Sequence, residues 1–370
     1  MTATRRVIVE PRGRPSLFTR VLVPFVAILG AAAIGALLLA ATGHPPGEAY
    51  ANMLESAFGS DLAIVRTLIS ATPLILTALA AAVAFRMKIW NIGAEGQLYL
   101  GAIAASGVAL LGGGTWPAVL AIVGALVAGV IGGAGWAALA AFPRAYLRTD
   151  EVITTLMLNF VALYLMNYLI FGSKSFWRDK ERLSFPSGRF IPDDTFLPTV
   201  WLRLHIGFVI ACAVALLLWW LLRSSTWGFD LRVIGDSVPA ARYAGMQVPR
   251  TIVWVLIVSG AIAGLAGAVL VLGTTHALQP GGLAIGLGYT GIVVAAVSRS
   301  NPLTIVPAAI LIAGLTNAGT ALQILEVPND IVVLLQGLAL LLVAAAEFLL
   351  HNRVRIAWRP ASTAEEASAA

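Results

Sequence analysis

From Thr251 to Ser298 the chain runs without a single aspartate, glutamate, lysine or arginine. An aqueous fold cannot hide so long a run. A bilayer can, because about 20 apolar residues cross its hydrocarbon core as a helix. The run is long enough for two crossings, and Gln279-Pro280-Gly281-Gly282 supplies the bend. Comparable runs are Val21–Ala41, Thr67–Phe85, Val152–Ser173, Leu204–Leu222, Ser300–Leu325 and Ile331–Leu350. Ile89–Pro143 carries one charge, Glu95, and spans twice, with a turn at Gly112-Gly113-Gly114-Thr115-Trp116-Pro117. The reading is therefore an all-α polytopic membrane protein of about ten segments. Leu283–Val297 is too short for a plain span and is expected to be re-entrant or broken, which is tolerated where protein covers the backbone.

Composition agrees. The chain is 59% hydrophobic and 11% charged, whereas a soluble domain is about a quarter charged. One cysteine, Cys212, excludes a disulfide framework, and the four histidines are scattered. The net charge of +6 does not call for nucleic acid, because the arginines flank apolar runs. With an inside N-terminus and ten alternating segments, the inner side holds Arg5, Arg6, Arg12, Arg14, Arg20, Arg86, Lys88, Arg144, Arg148, Arg223, Arg232, Arg242, Arg250, Arg299, Arg353, Arg355 and Arg359. The outer side holds Arg66 and six basic residues of the loop at 174–203. That bias predicts cytoplasmic termini. The expected organisation is a cytoplasmic segment at 1–20, a single transmembrane domain at 21–350 and a cytoplasmic tail at 351–370. The first apolar run exceeds a signal-peptide core, so it is read as an uncleaved helix.

Catalytic signatures are missing. There is no phosphate-binding GxxxxGK[ST] loop, no GxSxG elbow, no HExxH pair and no potassium-filter string. Together these absences point away from an enzyme, and no cofactor is expected.

Polar residues inside the spans mark the candidate path. Asn91-Ile92-Gly93-Ala94-Glu95-Gly96-Gln97 places a carboxylate in a span beside two glycines. Such a residue is costly and points to function. Asn91 and Glu95 would share a face if the helix were continuous, and the glycines could break it. The structural alternative is that Glu95 ties down a loop or caps a half-helix. Thr155 and Asn159 share a face of the fifth span, and Asp150 and Glu151 suit its N-terminus. Asn317, Gln323 and Gln336 add polar groups near the end; interhelical hydrogen bonding is the competing reading throughout. The candidate path is Asn91, Glu95, Gln97, Thr155, Asn159 and Asn317. The GxxxG pairs Gly260/Gly264 and Gly282/Gly286 would permit close helix packing.

Between the sixth and seventh spans, Asp236 or Ser237 can cap a short helix that Gly245 would stop. Asp236, Ala240, Ala241, Arg242, Tyr243 and Gly245 would form a docking surface for a soluble motor, the small alanines allowing close approach. The alternative is a helix lying at the membrane surface. The loop at 174–203 is rich in Phe, Trp and Pro and is either a cap for an external partner or a loop packed at the interface.

Four segments, Asn91–Gln97, Asp150-Glu-Val-Ile153 with Met157-Leu-Asn159, Arg232–Gly245, and Gly288-Tyr-Thr-Gly291 with Asn301-Pro-Leu303, resemble the permeases of ABC importers. The branch is the one shared by ribose-type, branched-chain amino acid and nucleoside uptake systems. The NIGAEGQ string is similar to that of one of two permease types in nucleoside importers, with Trp90 where Phe is expected. The resemblance implies a second permease subunit in a heterodimer, two cytosolic ATPase subunits that the 236–245 helix would touch, and an extracytoplasmic binding protein delivering a nucleoside or simple sugar. The competing reading is an ion-coupled secondary transporter with Glu95 as proton carrier.

Overall fold

A computed structural model describes residues 4–11, 17–172, 174–179, 187–322, Val327, scattered helical positions between 331 and 350, and 352–359. Gln323, Gln336 and the tail beyond Arg359 lie outside the described residues. The chain divides into two units: one comprises residues 1–50 and 322–370, the other Ala51–Ala321.

In the first unit, α1 covers Leu17–Ala41, and the Tyr50 hydroxyl donates to the Ala32 carbonyl at 2.6 Å. Two strands complete it, β1 (Thr4–Pro11) and β4 (Asn352–Arg359). They pair antiparallel, Thr4 opposite Arg359 and Pro11 opposite Asn352. No strand was expected at either end. The alternation of Arg353, Val354, Arg355 and Ile356, and the β-branched run Val7-Ile8-Val9, are the strand signals that a search for long apolar runs passes over.

The second unit is the permease core. Here α3 (Asp61–Phe85), α4 (Ala94–Gly112), α5 (Ala118–Phe142), α6 (Glu151–Asn167), α7 (Gly207–Ser224), α10 (Val248–Leu270) and α13 (Pro302–Leu322) occupy the predicted apolar runs. Among the described residues, eight helical stretches are long and apolar enough to cross a membrane, and Leu29–Ala41 adds a shorter one. Single turns of π-helix extend α5, α6 and α10. Three shorter helices lie outside the predicted spans: α2 (Pro46–Phe58), which runs across the boundary of the two units, α8 (Thr226–Asp236) and α9 (Val238–Tyr243). The predicted short segment is broken. α11 (Pro280–Leu283) and α12 (Leu287–Val297) are separated by Ala284, Ile285 and Gly286, the last at φ +79°.

Helices α4, α5 and α10 meet backbone to backbone. A Cβ on Gly264 would strike the Gly129 carbonyl and lie 2.8 Å from the Gly133 Cα; one on Gly133 would strike the Gly260 carbonyl. The Gly260/Gly264 pair therefore does what its spacing suggests. The Gly282/Gly286 pair does not. A Cβ on Gly282 would meet only the Thr275 methyl at 3.3 Å, and Gly286 serves the chain break through its left-handed backbone.

The outer loop packs back onto this core. The Trp177 indole donates to the Ile103 carbonyl at 3.2 Å, and Ile191 and Leu197 are buried. The Ile191 and Leu197 amides donate to the carbonyls of His276 and Leu272. Two short strands, β2 (Thr199–Trp201) and β3 (Leu204–His205), close the loop before α7. His205 is buried, and its Nδ1 accepts the Gly207 amide at 3.2 Å. Burial, and His276 nearby, push its pKa down to about 4.

Candidate functional site

The polar residues of the NIGAEGQ segment are all buried. Asn91 stands outside α4, on the turn that enters it, because Gly93 precedes the helix and Ala94 opens it. The expected shared helical face of Asn91 and Glu95 is thus not formed. Asn91 folds over the turn instead. Its Nδ2 donates to Gln97 Oε1 at 2.9 Å and to Ser259 Oγ at 2.8 Å, and its Oδ1 accepts from Gln97 Nε2 at 3.1 Å and from the Gly93 amide at 3.1 Å. Ser259 of α10 passes its own proton to the Ala80 carbonyl of α3 at 2.6 Å. One amide pair therefore fastens the turn to two helices far away in sequence.

Glu95 faces another way. Its Oε1 accepts the Tyr99 hydroxyl at 2.6 Å and the Gly286 amide at 3.0 Å, and its Oε2 accepts the Gly288 amide at 2.5 Å. Those amides are the open donors at the start of α12, and a carboxylate is the group such an end favours. Glu95 is thus a cap supplied in trans to the half-helix. Gly288 and Gly291 let α12 come this close, since a Cβ on Gly288 would strike the Glu95 amide and one on Gly291 would lie 2.5 Å from Thr77 Oγ1. Thr77 in turn donates to the Leu287 carbonyl at 3.1 Å. A proton carrier needs a route to water, but Glu95 is only 2% exposed and both its oxygens are engaged by protein donors.

Asn159 joins the cluster from α6. Its Oδ1 accepts the Gly96 amide at 2.8 Å; its Nδ2 donates to the Ile92 carbonyl at 2.9 Å and to the Tyr289 hydroxyl at 3.2 Å. Thr155 lies on the same buried face, against Gly93, but spends its hydroxyl on the Glu151 carbonyl of its own helix at 2.6 Å. Asn317 is elsewhere. It accepts from Ser70 at 3.1 Å and donates to Thr67 at 3.4 Å near the start of α3. The fifth span opens as expected, Asp150 accepting the amides of Val152 and Ile153, while Glu151 pairs with Arg144 at 2.8 Å.

Five of the six candidate path residues therefore gather in one seam between α3, α4, α6, α10 and α12, and Asn317 does not. Sequence reading left out Ser259, Tyr99, Thr77 and Tyr289. Tyr289, 40% exposed, brings the network to the surface of the subunit. A lone hydroxyl in an apolar run, such as Ser259 in α10, was the available signal. The seam pairs amides, hydroxyls and one carboxylate.

Helix α9 is capped by Ser237, whose hydroxyl accepts the Ala240 amide at 3.3 Å, and ends at Gly245 with φ +80°. Asp236 belongs to the preceding helix, α8. Pro239, Ala240, Arg242, Tyr243, Ala244 and Gly245 are exposed, Tyr243 almost completely. Ala241 is not; it is fully buried in the core and cannot belong to a docking face. Spacing alone put it there, but a six-residue helix has an inner side. α8 is held to the end of α3: a Cβ on Gly235 would strike the Arg86 carbonyl, and the Arg86 guanidinium donates to the Ser300 carbonyl at 3.3 Å. Burial and the nearby Arg232 push the Arg86 pKa below its usual range.

Comparison with known proteins places this geometry. A family model described as "Branched-chain amino acid transport system / permease component" matches residues 63–344. The guanosine ABC transporter permease protein NupP of Bacillus subtilis is 34% identical over 89% of this chain and 94% of its own length. The glucose ABC transporter permease protein TsgB13 of Haloferax volcanii is 30% identical over 90% of each chain. The nucleoside ABC transporter permease protein NupB of Lactococcus lactis is 32% identical over 83% of this chain and 88% of its own. Each of these organisms also holds a second, more distant relative: NupQ of B. subtilis, TsgC13 of H. volcanii and NupC of L. lactis match 58%, 64% and 56% of this chain.

Proposed function

Because this chain belongs to the branched-chain amino acid transport system permease family, we propose that it forms half of a path for a nucleoside or a simple sugar. It is a multi-pass plasma-membrane permease of an ABC importer, a transport subunit and not an enzyme. ATP hydrolysis resides on a separate chain, and a binding protein completes the system. The substrate class rests on the relatives, whose names specify guanosine, nucleosides and glucose. The observation that carries the path is the seam itself: five polar residues buried side by side, of which Asn159 reaches Tyr289, 40% exposed.

The second subunit is a different permease. Related permeases occur as unequal pairs in one organism, and this chain is closer to one member of each pair. The α9 face made by Ala240, Arg242, Tyr243 and Gly245 docks on the ATPase. Both termini are cytoplasmic, and the pairing of β1 with β4 supports a common side for the two ends. In this scheme Asn91, Gln97, Thr155 and Asn159 shape the path wall, while Glu95 acts through α12. Asn317 braces the far end of α3.

The test is uptake by proteoliposomes holding both permeases, the ATPase and the binding protein. Labelled guanosine, glucose and leucine are offered with ATP inside. ATP-dependent uptake of guanosine or glucose that survives a proton uncoupler is expected. Uptake of leucine alone, or collapse with the uncoupler, would overturn the proposal.

A further inference from the structure

We propose that a cavity between α8 and α10 holds the headgroup of an anionic phospholipid. The side on which it opens rests on the topology proposed above; the binding itself does not depend on the transport reading. The cavity has a volume of about 390 Å³ and is lined by Trp227, Arg250, Thr251, Trp254 and Val258.

Its walls change character with depth. Arg250 and Thr251 lie in the first turn of α10, where the helix leaves the cytoplasm. Val258 is eight residues on, about 12 Å deeper at the rise of an α-helix. A guanidinium therefore stands at the mouth, beside the Thr251 hydroxyl, which donates to the Gln247 carbonyl at 3.2 Å, and indole and valine surfaces continue from it into the hydrocarbon. That order, charge then indole then aliphatic, is the order of phosphate, glycerol and acyl chain in a lipid. Indole rings settle at that boundary.

The charge fits as well. Arg250 has no ion-pair partner among the described residues. α8 presents Phe229, 54% exposed, and Trp254 of α10 is 52% exposed, so apolar surface continues on both sides of the opening. A soluble anion would use Arg250 but leave Trp254 and Val258 bare. A phospholipid covers both, and basic pockets between membrane helices on this side are suited to anionic headgroups.

The experiment uses the full-length chain in detergent micelles doped with phosphatidylglycerol or phosphatidylcholine, and native mass spectrometry counts the lipids retained. Phosphatidylglycerol should bind at least fivefold tighter than phosphatidylcholine. Arg250→Gln should cost about fivefold for phosphatidylglycerol only, the loss expected of one basic contact at a membrane surface. Arg250→Lys should keep most of the preference, which separates lost charge from lost fold, and Trp254→Ala should weaken both lipids. Arg232→Gln, outside the cavity, should change nothing. Equal binding of the two lipids, an unaffected Arg250→Gln variant, or displacement by millimolar inorganic phosphate would each overturn the proposal. So would a cysteine at position 254, in a Cys212→Ser background, that cross-links to the second permease or the ATPase instead of remaining open to lipid.

Discussion

Replacing Glu95 with glutamine removes one charge and almost no volume, so it isolates what the carboxylate does. The native group accepts three hydrogen bonds, two from the backbone at the head of α12 and one from Tyr99. Bonds to a charged acceptor contribute about 1.5–3 kcal/mol each. Glutamine keeps one oxygen, which can serve the Tyr99 and Gly286 side at neutral strength. Its NH2 then meets the Gly288 amide, donor against donor. The loss of one charge-assisted bond, with a buried amide left unsatisfied, amounts to about 2–4 kcal/mol. At 1.4 kcal/mol per decade, that raises the population of a frayed α12 about 30- to 1000-fold. Hydrogen–deuterium exchange of the purified protein reads this directly. Amides at Leu287–Thr290 should lose protection by that factor, while those of α5 and α10 stay protected. Uptake should fall with it, because the half-helix would no longer be held against α4. Unchanged protection at Gly288 together with unchanged uptake would refute the capping argument.

Other consequences can be checked by simpler means. Gly264→Leu should prevent folding, costing more than about 3 kcal/mol, since the new side chain meets backbone of α5 rather than a movable side chain; fluorescence-detected size exclusion should show aggregate. His205, held neutral by burial with its pKa near 4, takes its proton mainly in the unfolded chain between about pH 6.5 and 4. Its contribution is therefore present above pH 6.5 and is lost as pH falls towards 4, up to roughly 3 kcal/mol, and His205→Gln should flatten the thermal stability of the protein over that window. Tyr243→Ala with Arg242→Glu should abolish co-purification of the ATPase without changing the thermal stability of the chain. Ala241→Glu should instead destabilise the chain by about 3 kcal/mol or more, because the carboxylate would be driven into the core.

The spans were legible because a bilayer demands length and lack of charge, and both can be counted along the chain. Short amphipathic pieces obey no such count, so α2, α8 and the strands β1 and β4 escaped. The polar seam was legible as a set of expensive residues, yet its wiring was not. Asn91 and Glu95 stand four apart, but Gly93 keeps Asn91 out of the helix and sends the two side chains to α10 and α12. Which partner each would find depends on Ser259 and Gly288, well over a hundred residues away, and no local rule carries that distance. The inner side of α9 was misread for a related reason: Ala241 is small wherever it points, so its residue type does not tell a contact surface from a core position.

The pairing of β1 with β4 also sets an order of events. In the chain β1 lies before the membrane segments and β4 after them. The sheet therefore cannot close until every intervening segment has been made and inserted. A chain stalled part-way, or one with a segment inserted the wrong way round, leaves β1 with an open edge. Such edges are the features that aggregation and proteolysis exploit. The sheet thus forms late, after the segments that lie between its two strands.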